Sequence, residues 1–523
     1  MQAETEERKR GPDAAVTPGW PRRPSSVLAG SREGLAAVSA ALTGAVGNAL
    51  AAARWPSGPL RAGTPAEVMA SATAALGVDG IPEEGMGTEA ALARLGRVLV
   101  EHGLHLSHPH AVAHLQPPPL AVAVAADALA SASNASLDTY DSGPSAIAVE
   151  RWLIAGLVEL AGLGRWADGV LTPGGSMSNL LGLLLARDAA ALRRGIDVRR
   201  QGVAALQAPV VLCSELAHFS VHRACAALGL GEGAVRPVPT DSRHRMIPEV
   251  LDAMLRELGP EHTPLAIVAT AGTTDFGSVD PLPRIAAIAA EHGVWLHVDA
   301  AYGFGALFSE RLAGRLAGLE LADSVTVDLH KLGWQPAATS ALLVSKGSTF
   351  SALEREVAYL NPGDDSAAGY DGLLGRSLQT TRRPDAVKVA ATLLAYGRRG
   401  MGDMVDTCHD LARHAEQRIA AQPELELVSP AELTTVVFRY RCDEDPVRED
   451  EINGALRRRL METGVALIGR TAVRLDGPGS PERVCLKFTL LNPTTTPEDL
   501  DALVEAVLKA GRACTPRLQK GAA

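Results

Sequence analysis

The chain of 523 residues holds little cysteine, and what it holds is scattered. Cys213, Cys225, Cys408, Cys442, Cys485 and Cys514 form no C-x-x-C pair. A chain this long needs no covalent staples, so reduced thiols in a cytoplasmic protein are expected rather than a disulfide framework. An excess of positive charge is also missing. The formal net charge is -10, which argues against nonspecific nucleic-acid binding, because that needs a basic face. Long apolar runs read as absent too. Leu120 to Leu129 reads as the most apolar stretch; it is interrupted by Asp127 and is far shorter than the roughly 18–20 residues of a membrane span. No apolar h-region opens the chain, so neither a signal peptide nor a membrane partner is expected.

What remains is an ordinary enzyme-like composition, 46% hydrophobic and 21% charged, in a chain long enough for two or more domains. Residues 1–30 mix Glu, Arg, Pro and Gly without periodicity and read as a disordered tail. Residues 31–115 carry Ala- and Leu-rich helical spacing broken by Gly and Pro, an N-terminal helical arm. From 116 to 385, apolar runs at Pro209–Cys213, Leu265–Thr270, Val294–Val298 and Ser340–Val344 alternate with amphipathic segments such as Leu282–Glu291. That alternation predicts an α/β domain with a mainly parallel sheet covered on both faces. Residues 386–515 hold a long helical pattern, three strand-like runs (Thr434–Tyr440, Val465–Gly469, Val484–Leu490) and a closing helix over Pro497–Ala510. They read as a smaller α+β domain.

Ligands of such sheets sit at the carboxyl ends of the strands, so the polar residues there carry the functional reading. Leu171-Thr-Pro-Gly-Gly-Ser-Met-Ser-Asn179 precedes a helical run. Gly175, Ser176 and Met177 suit a phosphate seat at a helix N-terminus, although Pro-Gly-Gly-Ser followed by Asn equally makes a turn and N-cap. In His297-Val-Asp-Ala-Ala-Tyr-Gly303, Asp299 ends a strand where its carboxylate can hold a protonated pyridine nitrogen, and Ala301 is small enough for a flat ring to pack on. A lone Asp there is also an ordinary cap or ion-pair partner. Lys331 ends Ser324-Val-Thr-Val-Asp-Leu-His-Lys331 after a strand-like run, a setting in which lysine can form a Schiff base; His330 beside it is placed to contact a phosphate. His218, after the strand ending at Cys213, can stack on a ring or be structural. Thr273, in Ala269-Thr-Ala-Gly-Thr-Thr274, offers a hydroxyl to the same crevice. The order of these five features after successive strands points to a single bound pyridoxal 5'-phosphate.

In these residues the chain resembles the group II pyridoxal-phosphate-dependent amino-acid decarboxylases, of the fold-type I, aspartate aminotransferase-like class. The resemblance runs from about His108 to Leu503 and implies the family's roles residue by residue. Thr172 to Asn179 looks like the phosphate segment. His218 matches the ring-stacking histidine, Asp299 and Ala301 the pyridine-nitrogen partner and ring-packing alanine, and His330-Lys331 the His-Lys pair. Tyr359 falls where the family carries a mobile-loop tyrosine, delivered from the neighbouring subunit to protonate the carbanion left by CO2, so a homodimer with interfacial sites is implied. Val268–Pro283, Asn134–Asp141, Ser377–Arg383 and Leu486–Pro493 are most similar to bacterial L-2,4-diaminobutyrate decarboxylases and the lysine decarboxylases of siderophore pathways. Two segments depart from those relatives. Leu332-Gly333-Trp334 stands where they tend to have two aromatic residues, and His114-Leu-Gln-Pro-Pro-Pro119 lacks their Cys-Pro.

The expected reaction is decarboxylation of an L-amino acid, a basic diamino acid (2,4-diaminobutyrate, ornithine or lysine) being favoured over an aromatic or acidic one. Other reactions at Cα, decarboxylation-dependent transamination or β-elimination, stay open, as does an inactive pyridoxal-phosphate-binding protein. His114, Trp334, Asp138 and Asp141 are candidate substrate contacts, the two acids as partners of a side-chain ammonium. Asp141 or Ser142 equally suits a helix cap. His102, His105, His108, His110 and His114 cluster, with His110 and His114 at the i,i+4 spacing of helical ligands; nearby prolines and the lack of a carboxylate or Cys weigh against a metal there, and none is expected.

Overall fold

A computed structural model describes residues 28–519 apart from 53, 54, 443, 444, 476 and 478, so most of the tail read as disordered lies outside the described residues. By its internal contacts the chain divides into two units, residues up to 55 with 67–103, and residues 56–66 with everything from 104 onward.

The first unit is helical, with Arg32–Ala52 packed on Thr88–His102. Arg32–Ala51 is long and apolar enough, by length and composition, to cross a membrane, and little of it is buried. This corrects the expectation that no such run exists. Gly34 to Ala52 is free of charge, but it is made largely of alanine and glycine, which do not stand out as a hydrophobic block.

The second unit holds two sheets. The larger has seven strands, β1 (Asp168–Thr172), β2 (Pro209–Ser214), β3 (Val235–Val238), β4 (Thr263–Thr270), β5 (Trp295–Asp299), β6 (Ser324–Asp328) and β7 (Ser340–Val344). Their spatial order is β1-β7-β6-β5-β4-β2-β3. Every pairing is parallel except the two made by β7, so one strand opposes the other six. Alternate residues feed two separate cores. Val210, Leu212, Ile267, Leu296 and Val298 pack in one, while Val211, Cys213, Val268 and Trp295 pack in the other. A sheet buried on both faces needs continuous apolar strands, which is the pattern these runs carry.

The smaller sheet contains β8 (Leu425–Ser429), β9 (Thr435–Tyr440), β10 (Leu467–Arg474) and β11 (Glu482–Thr489), extended at one edge by the two-residue strand Ala111–Val112 alongside β10. His110 to His114 therefore belong to a strand and its flanks. No helix covers His110 and His114, so their i,i+4 spacing does not stack them one turn apart, and the His110 ring bonds instead to the Val465 carbonyl at 3.0 Å. The helix Ala386–Ala420 links the sheets and is broken at Gly397, whose φ is 62°.

A buried ion pair fixes the edge strand that leads into the glycine-rich segment. Arg382 lies 2.8 Å from Glu150 and donates to the Leu171 carbonyl, while Glu150 accepts from the Leu171 amide at 3.2 Å. Burial raises the Glu150 carboxyl, and the Arg382 guanidinium works against that rise. Removing one partner would strand the other charge, at about 3–5 kcal/mol.

Candidate active site

The strand ends of the large sheet open on a cleft of about 480 Å³, lined among others by Gly175, Ser176, Met177, Asn179, His218, Asp299, Ala301, His330 and Lys331. Eight of the nine residues expected at the cofactor thus meet in one place. The ninth, Thr273, does not. Gly272, with φ 101° and no room for a Cβ beside Gly303, ends the strand's alternation. Thr273 then faces Ser278, its hydroxyl 2.7 Å from the Ser278 oxygen, and Thr274 lines the cleft in its place.

The helix Gly175–Arg193 begins at the cleft with Gly174 as its N-cap and no side-chain cap; the Met177 amide donates to the Gly174 carbonyl at 2.9 Å, and those of Gly175 and Ser176 are left for an anion. A Cβ on Gly175 would stand 2.8 Å from Asp328 Oδ1; glycine is what lets the helix start so close to the β6 end. Asp328, which sequence reasoning passed over, is buried and lies 2.8 Å from Lys331 Nζ. Ser340 donates to its other oxygen. His330 turns its Nδ1 to the Thr339 carbonyl at 3.0 Å.

Asp299 is buried at the end of β5. Its Oδ2 accepts from Asn179 Nδ2 at 2.8 Å and its Oδ1 from the Ala301 amide at 3.1 Å. His218 Nδ1 faces the Ser220 hydroxyl at 2.8 Å and the Ser220 amide at 3.3 Å. Two donors on Nδ1 leave the proton of the neutral ring on Nε2. Burial holds the His218 imidazole below its ordinary value, Asp299 pulls it up and Lys331 pushes it further down.

The four substrate contacts expected from sequence are not brought to the cleft. Trp334 is buried, its Nε1 donating to the Leu491 carbonyl at 2.8 Å. His114 is exposed, with Lys487 and Arg457 as its charged neighbours. Asp138 Oδ1 accepts from Ser136 and Ser142, and Asp141 Oδ1 from Thr139, within their own turn. Neither Asp141 nor Ser142 caps the following helix, whose N-cap is Gly143 without a side-chain bond. Tyr359 is 83% exposed and does not line the cleft of its own chain. Among the described residues, the histidines of the 102–114 segment form no group of three ligand atoms.

The donor set fits a pyridoxal phosphate: a lysine amine, a buried carboxylate, a glycine-floored helix start and a flat-walled alanine. One orphan polar atom fits as well. Thr270 Oγ1 is buried without a partner in the chain, on the residue registered beside Asp299 and lining the same cleft.

Residues 80–441 match the pyridoxal-dependent decarboxylase conserved domain. An L-2,4-diaminobutyrate decarboxylase of Rhizobium meliloti (strain 1021) is 42% identical over 436 residues, 83% of this chain and 84% of that protein. One from Acinetobacter baumannii is 35% identical over 82% and 84%. A solved structure, the glutamate decarboxylase domain of diaminobutyrate-pyruvate transaminase and L-2,4-diaminobutyrate decarboxylase from Vibrio parahaemolyticus, superposes with a TM-score of 0.80 at 32% identity, covering 92% of this chain and 96% of that one. With the fold, the cleft and these likenesses together, the chain belongs to the pyridoxal-dependent decarboxylase family: it is a carboxy-lyase of fold type I that uses pyridoxal 5'-phosphate.

Proposed function

We propose that the enzyme removes the α-carboxylate of L-2,4-diaminobutyrate, giving 1,3-diaminopropane and CO2, at the cleft between Lys331 and Asp299. The observation that carries the site assignment is the convergence of the Lys331 amine, the Asp299 carboxylate and the uncapped start of Gly175–Arg193 on one cavity. The substrate class is supported by the names of the two curated relatives.

In this reading Lys331 holds the cofactor's aldehyde carbon, Asp299 its ring nitrogen, and Gly175, Ser176, Met177 and His330 its phosphate. The bound cofactor supplies an electron sink for the pair left at Cα when CO2 departs. Asp299, a buried anion, favours the protonated ring nitrogen on which that sink depends. His218 and Ala301, both lining the cleft, would hold the two faces of the ring, and the Nε2 proton of His218 is left for the substrate carboxylate. Asp328 keeps the Lys331 amine at the β6 end. Tyr359, exposed and not among the residues lining its own cleft, acts as general acid at Cα in the cleft of a second copy, so the working enzyme is a homodimer. Residues 116–385 serve as the cofactor domain, 386–515 as the small domain and 31–115 as the arm. A free amino acid as substrate and cysteines that are buried at five of six positions suit a cytoplasmic protein without membrane or nucleic-acid partners.

Competition among amino acids tests the substrate. With L-2,4-diaminobutyrate, ornithine, lysine, glutamate and tryptophan in one mixture, mass spectrometry of the products should find 1,3-diaminopropane formed fastest. Faster release of the glutamate or tryptophan amine would overturn the diamino-acid assignment.

A further inference from the structure

Behind Asp299 lies a buried polar chain that the reaction itself does not use. Asn179, on the first turn of Gly175–Arg193, has all four of its amide positions filled. Its Nδ2 donates to Asp299 Oδ2 at 2.8 Å and to Ser220 Oγ at 2.9 Å. Its Oδ1 accepts from Thr326 Oγ1 at 2.6 Å and faces His297 Nε2 at 3.0 Å. The His297 tautomer follows from these contacts. Trp295 Nε1 donates to Ser324 Oγ at 2.9 Å, and the Ser324 hydroxyl lies 2.7 Å from His297 Nδ1. Asp299 Oδ2 can only accept, so the Asn179 NH2 faces it and the amide oxygen faces His297; the imidazole hydrogen therefore lies on Nε2, toward Asn179, and Nδ1 accepts the Ser324 hydroxyl proton. Burial holds His297 down at about 4, so the ring is neutral and the bonding pattern does not change near neutral pH.

The consequence is a locked amide. Flipping Asn179 would set its NH2 against the Thr326 and His297 donors and its oxygen against the Asp299 carboxylate. Gly182, one turn further along the helix, makes the lock possible: a Cβ there would lie 2.6 Å from His297 Cε1, so only glycine lets the helix come down on the imidazole.

We propose that Asn179 is a positioning residue that aims the Asp299 carboxylate at the cofactor's ring nitrogen, its amide held in one orientation by His297 and Thr326. Asp299 Oδ1 is fixed by the Ala301 amide and Oδ2 by Asn179, so the two bonds set the carboxylate plane while leaving lone pairs for the ring N–H. This rests on the assignment of Asp299 to the ring nitrogen.

The test uses apoprotein and two cofactors, pyridoxal phosphate and its 1-deaza analogue, in which a C–H replaces the ring nitrogen. Equilibrium affinities are measured for the wild type, Asn179→Ala, Asp299→Ala and the double variant. Asn179→Ala should weaken pyridoxal phosphate by about tenfold, the scale of one hydrogen bond to a charged group, and leave the analogue within about twofold. In the Asp299→Ala background it should add less than about twofold for either cofactor. General loosening of the cleft would weaken both cofactors alike, and that result overturns the proposal. So does full additivity with Asp299→Ala. Asn179→Asp, which places a second carboxylate against Asp299, is a further check and should depress the preference for pyridoxal phosphate more than Asn179→Ala does. If Asp299→Ala itself fails to distinguish the cofactors, the ring-nitrogen assignment falls and Asn179's role with it. If only Asn179→Ala fails to, the assignment stands and the positioning role does not.

Discussion

Lys331→Ala should lower the decarboxylation rate by roughly ten-thousand-fold, the upper range for losing a positioned acid–base group, and should abolish the visible absorbance of lysine-bound cofactor. The two effects have one cause. Among the described residues Lys331 is the only lysine lining the cleft, and its Nζ is held 2.8 Å from Asp328. Among the other described lysines, Lys388 is buried against Asp385 at 3.0 Å and Lys487 is tied to Asp275 at 2.8 Å. Cofactor can still enter the variant, because the Gly175 helix start and Asp299 remain. The expected protein therefore binds pyridoxal phosphate reversibly, without the covalent band, and turns over very slowly. A visible band of wild-type intensity in purified Lys331→Ala would show that another group holds the aldehyde.

The second large effect belongs to Tyr359→Phe. Amine formation should slow by roughly a hundredfold, the lower range for removing a general acid, while aldehyde and ammonia rise when oxygen is present. Only the hydroxyl is lost, so folding and cofactor binding should stay at wild-type levels. The residue is 83% exposed in its own chain, and that exposure is what a group delivered to another copy's cleft requires. Mixing inactive Lys331→Ala with Tyr359→Phe gives a second readout: heterodimers, with one cleft holding both Lys331 and a partner's Tyr359, should recover amine output. Unchanged output from Tyr359→Phe alone would remove the tyrosine from the mechanism.

Much of the large sheet is legible in the sequence because a strand buried on both faces must be apolar throughout. The runs at Pro209–Cys213, Leu265–Thr270 and Ser340–Val344 reappear as strands within two residues. Besides the two-residue Ala111–Val112, three described strands are not legible. β1 opens with Asp168 and Gly169, β3 is the mixed Val-Arg-Pro-Val, and β8 alternates with glutamate; each lies at a sheet edge, and in β3 and β8 partial exposure relaxes the apolar pattern. The site residues at strand ends follow from the same logic, since a parallel sheet collects what stands after its strands. Placements differ from expectation where local geometry departs from simple alternation. Left-handed Gly272 exchanges Thr273 for Thr274. Trp334, itself at φ 53°, turns into the core to reach the Leu491 carbonyl. Asp138 and Asp141 accept from neighbouring hydroxyls, which are visible in sequence only as an ordinary turn. Asn179 lies in the Thr172–Asn179 segment, but its partners His297, Thr326 and Ser220 lie 41 or more residues away and only the folded sheet brings them together.

The central claim is that one pyridoxal phosphate sits between Lys331 and Asp299. Borohydride reduction of the holoenzyme, followed by digestion and peptide mass mapping, tests it most directly. One pyridoxyl group per chain should be found on the peptide carrying Lys331, and Asp299→Ala should lower its yield at limiting cofactor. A label on Lys346, Lys388, Lys487 or Lys509 instead, or full labelling without Lys331, would contradict the account.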